Sequence, residues 1–152
     1  MAGGRRVAYA DVINGMSGSR AGDRAEKVQQ YTILFVEDVE TCKESLTRIL
    51  GRVGYKVLCA SSVRQALTLL DDNGVDLILV DLALPRVSGL ELVETVRATE
   101  HCRHVPVIVF SSWGEITRVS GELRISAWLI KSVESMNDLR DAITQALGKE
   151  KQ

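Results

Sequence analysis

Leu77-Ile78-Leu79-Val80-Asp81-Leu82-Ala83-Leu84-Pro85 is the stretch on which the reading of this chain turns. Its first four residues are apolar without alternation, the pattern of a strand covered on both faces, as strands of a parallel sheet are. A carboxylate comes next, where the strand must leave the sheet. Working outward, Thr32–Val36, Lys56–Ala60, Val105–Phe110 and Ala127–Ile130 read as further short strands rich in β-branched residues. Helical periods lie between them. Val39, Cys42, Leu46, Ile49, Leu50 and Val53 share one face, and Gly54 supplies a stop. Val63, Ala66, Leu67 and Leu70 mark a second helix, and Leu90, Val93 and Val96 a third. Leu139, Ile143, Ala146 and Leu147 mark a last one, expected to end at Gly148. Gly114–Leu123 has poor period and glycine near both ends, and is read as a short fourth helix. Alternating strands and helices predict an α/β domain over 31–149: a flavodoxin-like, doubly wound, five-stranded parallel sheet with helices on both faces and strand order 2-1-3-4-5. The first, third and fourth strands, being the most apolar, belong at its centre.

Composition narrows the function. The chain has 152 residues, 45% of them hydrophobic, enough for one domain and a tail but not for a second large domain. Residues 1–30, with Gly3, Gly4, Gly15, Gly18 and Gly22 and no sustained apolar period, read as a disordered or flexible tail of net charge +2. The remainder carries 14 basic against 17 acidic residues, a net −3. Such a balance gives no general attraction to nucleic acid or to a membrane surface. Cys42, Cys59 and Cys102 are odd in number and lack metal or redox spacing, as suits reduced thiols. Without a secretory leader or an apolar run of membrane-spanning length, a soluble cytoplasmic protein is expected.

The chemistry is concentrated immediately after the strands: Glu37 and Asp38 after the first, Asp81 after the third, Ser111 after the fourth and Lys131 after the fifth. In an open parallel sheet all these ends line one edge, where the strand order reverses and ligands bind. Neighbouring strands are about 4.8 Å apart, so carboxylates ending the first and third reach a common atom. Three carboxylates repel one another strongly, and Lys131 alone cannot neutralise them; a hard dication resolves the excess, and magnesium suits an all-oxygen donor set. A carboxylate nucleophile, a lysine and a metal suffice for phosphoryl transfer, which depends mainly on positioning and charge neutralisation.

Val36-Glu37-Asp38, Asp81 through Pro85 with Gly89, Ser111 and Lys131, in this order and spacing, resemble the signature of response regulator receiver domains, over residues 32–148. The resemblance implies a phosphoacceptor at Asp81, Mg2+ held by Glu37, Asp38, Asp81 and the Ala83 backbone carbonyl, and Lys131 paired with the phosphoryl group. It implies Ser111 as the switch hydroxyl and an output surface formed by the fourth helix, fifth strand and last helix. The partners implied are a histidine kinase or phosphotransfer protein as donor and a protein acting downstream; a homodimer stays open. Such a domain is a signalling module and not an enzyme, beyond assisting its own phosphorylation and dephosphorylation.

Two positions depart from the family pattern. Ser132 follows Lys131 where receivers carry proline, and Trp128 stands where Tyr or Phe is usual. Trp128 is expected to point outward and add to a partner surface, because its indole is large and has only an N–H donor. These departures keep open a degenerate receiver acting as an unphosphorylated scaffold. A magnesium-dependent phosphatase-like enzyme fits less well, since neither Asp38 nor Asp81 has a second aspartate two residues on. Glu37 and Asp38 have an alternative use in capping the first helix. Glu100, His101, Cys102 and His104 match no zinc spacing, and Trp113 is read as packing near the site loop.

Overall fold

A computed structural model describes residues 30–84, 86–111, 123–132 and 136–151, with the side chains of 149–151 excepted. The tail expected over 1–30, apart from Gln30, the helix expected over 114–123, apart from Leu123, and Trp113 therefore fall outside the described residues.

Five parallel strands form one sheet in the order β2-β1-β3-β4-β5: β1 (Thr32–Val36), β2 (Lys56–Ala60), β3 (Leu77–Val80), β4 (Val107–Ser111) and β5 (Ala127–Ile130). The described helices are α1 (Glu40–Val53), α2 (Val63–Asp72), α3 (Gly89–Ala98) and α4 (Met136–Lys151). Successive strand residues point to opposite faces, and the core divides accordingly. Leu34, Val36, Ile78, Val80, Val107 and Val109 pack with Ala66 and Leu70 of α2 and Leu92, Val93 and Val96 of α3. Ile33, Phe35, Leu77, Leu79, Ile108 and Phe110 pack with Leu46 and Leu50 of α1 and Leu139, Ile143 and Leu147 of α4. Every residue of β1 after Thr32, and all of β3 and β4, is buried.

Boundaries differ from the sequence reading at both ends of β4, which takes in Ser111, at the start of α1 and at the end of α4. β4 begins at Val107, because the Val105 N–H is taken by a turn to the Cys102 carbonyl and Pro106 has no N–H to donate. Val39 precedes α1 as its cap and is 49% exposed, so it is not part of the buried helical face. Gly148 does not end α4, which continues to Lys151; a glycine that keeps a right-handed φ costs a helix only about 1 kcal/mol. Gly54 does end α1: at φ 118° it is left-handed, and the following Tyr55 N–H reaches back to the Leu50 carbonyl.

Gly89 opens α3 directly under the loop that carries Asp81. A Cβ there would lie 2.4 Å from the Asp81 carbonyl oxygen and 2.9 Å from Val80 Cγ2, so the helix approaches β3 only because the residue has no side chain. Gly51, inside α1, has nothing within 4 Å of such a Cβ. In urea denaturation Gly89→Ala is expected to destabilise by about 1–3 kcal/mol. Gly51→Ala is expected to stabilise by about 0.5–1 kcal/mol.

Candidate functional site

The register of the sheet builds the site. Val36 pairs with Val80, and the Asp81 N–H donates to the Val36 carbonyl at 3.0 Å, so Glu37 and Asp81 emerge side by side at the carboxyl edge. Ser111 pairs with Ile130, and the Lys131 N–H donates to the Ser111 carbonyl at 2.7 Å, bringing the lysine to the same edge. Glu37, Asp81 and Ser111 are the buried polar side chains among the described residues. Lys131 Nζ donates to Glu37 Oε1 at 2.5 Å and to Asp81 Oδ2 at 2.8 Å. Asp81 Oδ1 accepts from Ser111 Oγ at 2.8 Å and from the Ala83 N–H at 3.1 Å. Asp38 is exposed. One ligand oxygen from each of Glu37, Asp38 and Asp81 lies within 4.8 Å of the others, the one such grouping among the described residues.

The charge balance of this cluster is uneven. Burial alone would push the Asp81 carboxyl up, but hydrogen bonds from Lys131, the Ala83 N–H and Ser111, with the Lys131 charge, hold it below the ordinary range. It is thus ionised at neutral pH. Burial would push Lys131 down, and its bonds to Asp81 and Glu37 with their charges raise it instead. Cys42, in the first turn of α1, lies beside Glu37; burial and that carboxylate push its thiol up to about 11. One ammonium therefore serves two buried carboxylates with a third nearby. The donor set is all oxygen, and these groups fit a hard dication.

The residues expected from sequence to converge do so, with Glu37, Asp81, Ser111 and Lys131 in direct contact and Asp38 at the rim. Helix capping does not account for the acidic pair: α1 is capped by Val39 with no side-chain bond, and Glu37 Oε2 accepts the Val39 N–H at 3.0 Å ahead of the helix. Trp128, expected to point outward, is neither fully exposed nor buried. It sits opposite Val109 on edge strand β5, and its indole is half-buried against the face carrying α2 and α3. The exposed large apolar side chains among the described residues are Val39 and Ile130. All described peptide bonds are trans, including that between Lys131 and Ser132. His101 pairs with Asp71 at 3.3 Å, and Cys102 is buried with its thiol toward the Val96 carbonyl. Two contacts lie beyond the sequence reading: the Ala83 N–H on Asp81, and Cys42 beside Glu37. The first is a backbone turn that no side-chain pattern reports; the second is a consequence of the α1 face on which Cys42 lies.

Comparison with known proteins gives the class of domain. The family model described as response regulator receiver domain matches residues 33–146, and the chain belongs to this family. Within it, the sensory/regulatory protein RpfC of Xanthomonas campestris is 30% identical over 111 residues, 70% of this chain and 15% of that protein. The polar-differentiation response regulator DivK of Brucella ovis is 34% identical over 82 residues, 54% of this chain and 67% of DivK. This chain thus spans a small part of RpfC and about two thirds of DivK. Among solved structures, a sensor protein from Polaromonas sp. JS666 superposes with a TM-score of 0.73 at 26% identity, over 80% of this chain and 98% of that one. TrrA of Thermotoga maritima, solved in complex with Mg2+-BeF, has a TM-score of 0.70 at 23% identity, over 78% of this chain and all of that one, a likeness of fold. No described helix is long and apolar enough to cross a membrane.

Lys131→Met leaves two buried carboxylates without their cation and is expected to cost about 3 kcal/mol, the lower end for orphaning a buried ion, since Lys131 is 20% exposed. Asp81→Asn removes repulsion with Glu37 and is expected to cost far less. Urea midpoints without divalent cations check both. Because the folded Asp81 value lies below the ordinary 3.8, its stabilising contribution is complete above that pH and is lost as pH falls through the folded value. Asp81→Asn is expected to flatten the wild-type stability profile in that acidic window.

Proposed function

We propose that this receiver domain of two-component signalling accepts a phosphoryl group on Asp81 with Mg2+ bound, and that the acyl phosphate alters a protein-binding face. The observation that carries this reading is the Asp81 carboxylate: buried, ionised, and held by Ser111, the Ala83 N–H and Lys131. A structural aspartate needs no such set of donors from three separate strand ends. Glu37, Asp38 and Asp81, with the Ala83 carbonyl, are the groups that would hold the metal. Bound there, Mg2+ supplies neutralising charge to the carboxylates and to the phosphoryl oxygens. The Mg2+-BeF complex of TrrA supports this choice of ion.

The transfer requires one bond made and one broken. An Asp81 carboxylate oxygen attacks the phosphorus of a phosphohistidine imidazole. The P–N bond breaks, its electron pair leaves with the imidazole, and that nitrogen takes up a proton. Lys131 then pairs with a phosphoryl oxygen, compensating charge that the carboxylate has passed outward. Ser111 donates to another phosphoryl oxygen, drawing the end of β4 inward. β4 and β5 are paired through Ser111 and Ile130, so this pull reaches β5, where Trp128 and Ile130 lie. The output face on this reading joins β5 and α4, and it meets a downstream protein.

The donor is a histidine kinase or phosphotransfer protein, a reading supported by the similarity to RpfC and DivK. The protein's own chemistry is limited to its phosphorylation and dephosphorylation. Incubation with acetyl phosphate and then intact-mass analysis is expected to give a single phosphoryl adduct, dependent on Mg2+ and absent in Asp81→Asn. A folded protein that takes no adduct from acetyl phosphate or from any phosphotransfer donor would instead be a scaffold receiver.

A further inference from the structure

The opposite edge of the sheet carries a second concentration of charge, unrelated to the carboxylate site. Arg97, at the end of α3, faces the segments leading into β4 and β5. Its guanidinium donates from Nε to the Leu123 carbonyl at 2.8 Å and from Nη2 to the Arg124 carbonyl at 3.0 Å. Nη1 donates to the carbonyls of Arg103 at 2.8 Å and Val105 at 2.7 Å. These bonds use four of the five N–H donors of the group. Arg97 thus pins the backbone of two other arginines whose side chains are exposed and line the same cleft, together with His104 and Ser126. The cleft measures roughly 240 Å³, and among the described residues no acidic side chain lines it. Among the described residues, none of the three arginines forms an ion pair with a carboxylate. Burial, with the neighbouring Arg124 charge, lowers Arg97 from its ordinary value. Arg124 also holds a left-handed backbone, φ 54°, uncommon for a residue with a long side chain, and its carbonyl is the one that accepts from Arg97 Nη2.

We propose that this cleft binds a compact phosphate-bearing small molecule, with Arg103 and Arg124 as its charged ligands, His104 and Ser126 as further donors, and Arg97 as the residue that positions them. Paired guanidinium forks match phosphate oxygens in geometry and charge. Like charges held together with no carboxylate partner among the described residues are a standing cost that an anionic ligand removes. A nucleic acid fits less well, because the basic groups are confined to one small cleft and the chain after residue 30 carries a net −3.

Inorganic pyrophosphate without divalent cation is the probe, monitored by calorimetry and by amide chemical shifts. The expected result is saturable binding that moves Arg103, Arg124 and Ser126. A double variant, Arg103→Gln with Arg124→Gln, is expected to lose about tenfold or more in affinity, while acetyl phosphate still labels Asp81 at the wild-type rate. Arg124→Gly, which suits the left-handed backbone, separates loss of charge from loss of fold and is expected to weaken binding with no loss of stability. No saturable binding at millimolar pyrophosphate, shifts centred on Asp81 and Lys131, or unchanged affinity in the double variant would overturn the proposal. So would binding of a polyglutamate peptide without binding of pyrophosphate.

Discussion

Lys131 is shared between two buried carboxylates, and this single ammonium is the constraint around which the carboxyl edge of the sheet is organised. Glu37 and Asp81 emerge from neighbouring strands whose register fixes them side by side. Their repulsion in a region with little water is offset only while the lysine reaches both, and the lysine reaches both only because β5 pairs with β4 one step before it. The tight approach of α3 at Gly89 and the turn that returns the Ala83 N–H to Asp81 depend on the same arrangement. The cluster is under-neutralised in its own right, and its all-oxygen donor set fits a hard dication.

The site lies where the strands run out of sheet. They are buried by α1 and α4 on one side and by α2 and α3 on the other, so their ends are held rigidly and their last side chains have few alternatives. Charge at those ends is costly unless it is used. The opposite edge obeys the same logic with the opposite sign: Arg97 commits its donors to backbone carbonyls, and the arginines it organises face solvent without carboxylate partners among the described residues.

Much of this was legible in the sequence because parallel strands advertise themselves by continuous apolar runs, and the residue after each run must lie at the edge. Leu77–Val80 with Asp81, and Thr32–Val36 with Glu37, needed no tertiary information. Which strands lie at the centre came from which runs were most apolar, whereas their order came with the fold class and from no local pattern. Local pattern failed where the outcome depended on hydrogen bonds between distant residues. Val105 looks like strand but gives its N–H to a turn. Gly148 looks like a stop but remains helical. The Arg97 hub was invisible because its partners are carbonyls, which every residue has and no motif records.

Magnesium binding tests the charge argument most directly. Calorimetric titration of the unphosphorylated protein with Mg2+ is predicted to show one saturable site, weakened by about tenfold or more in Asp38→Asn, a residue at the rim that makes no contact with Lys131 in this structure and whose loss leaves the Lys131 pairings intact. Absence of saturable binding to folded protein, or equal affinity in wild type and Asp38→Asn, would contradict the account of the carboxyl edge as a site short of one dication.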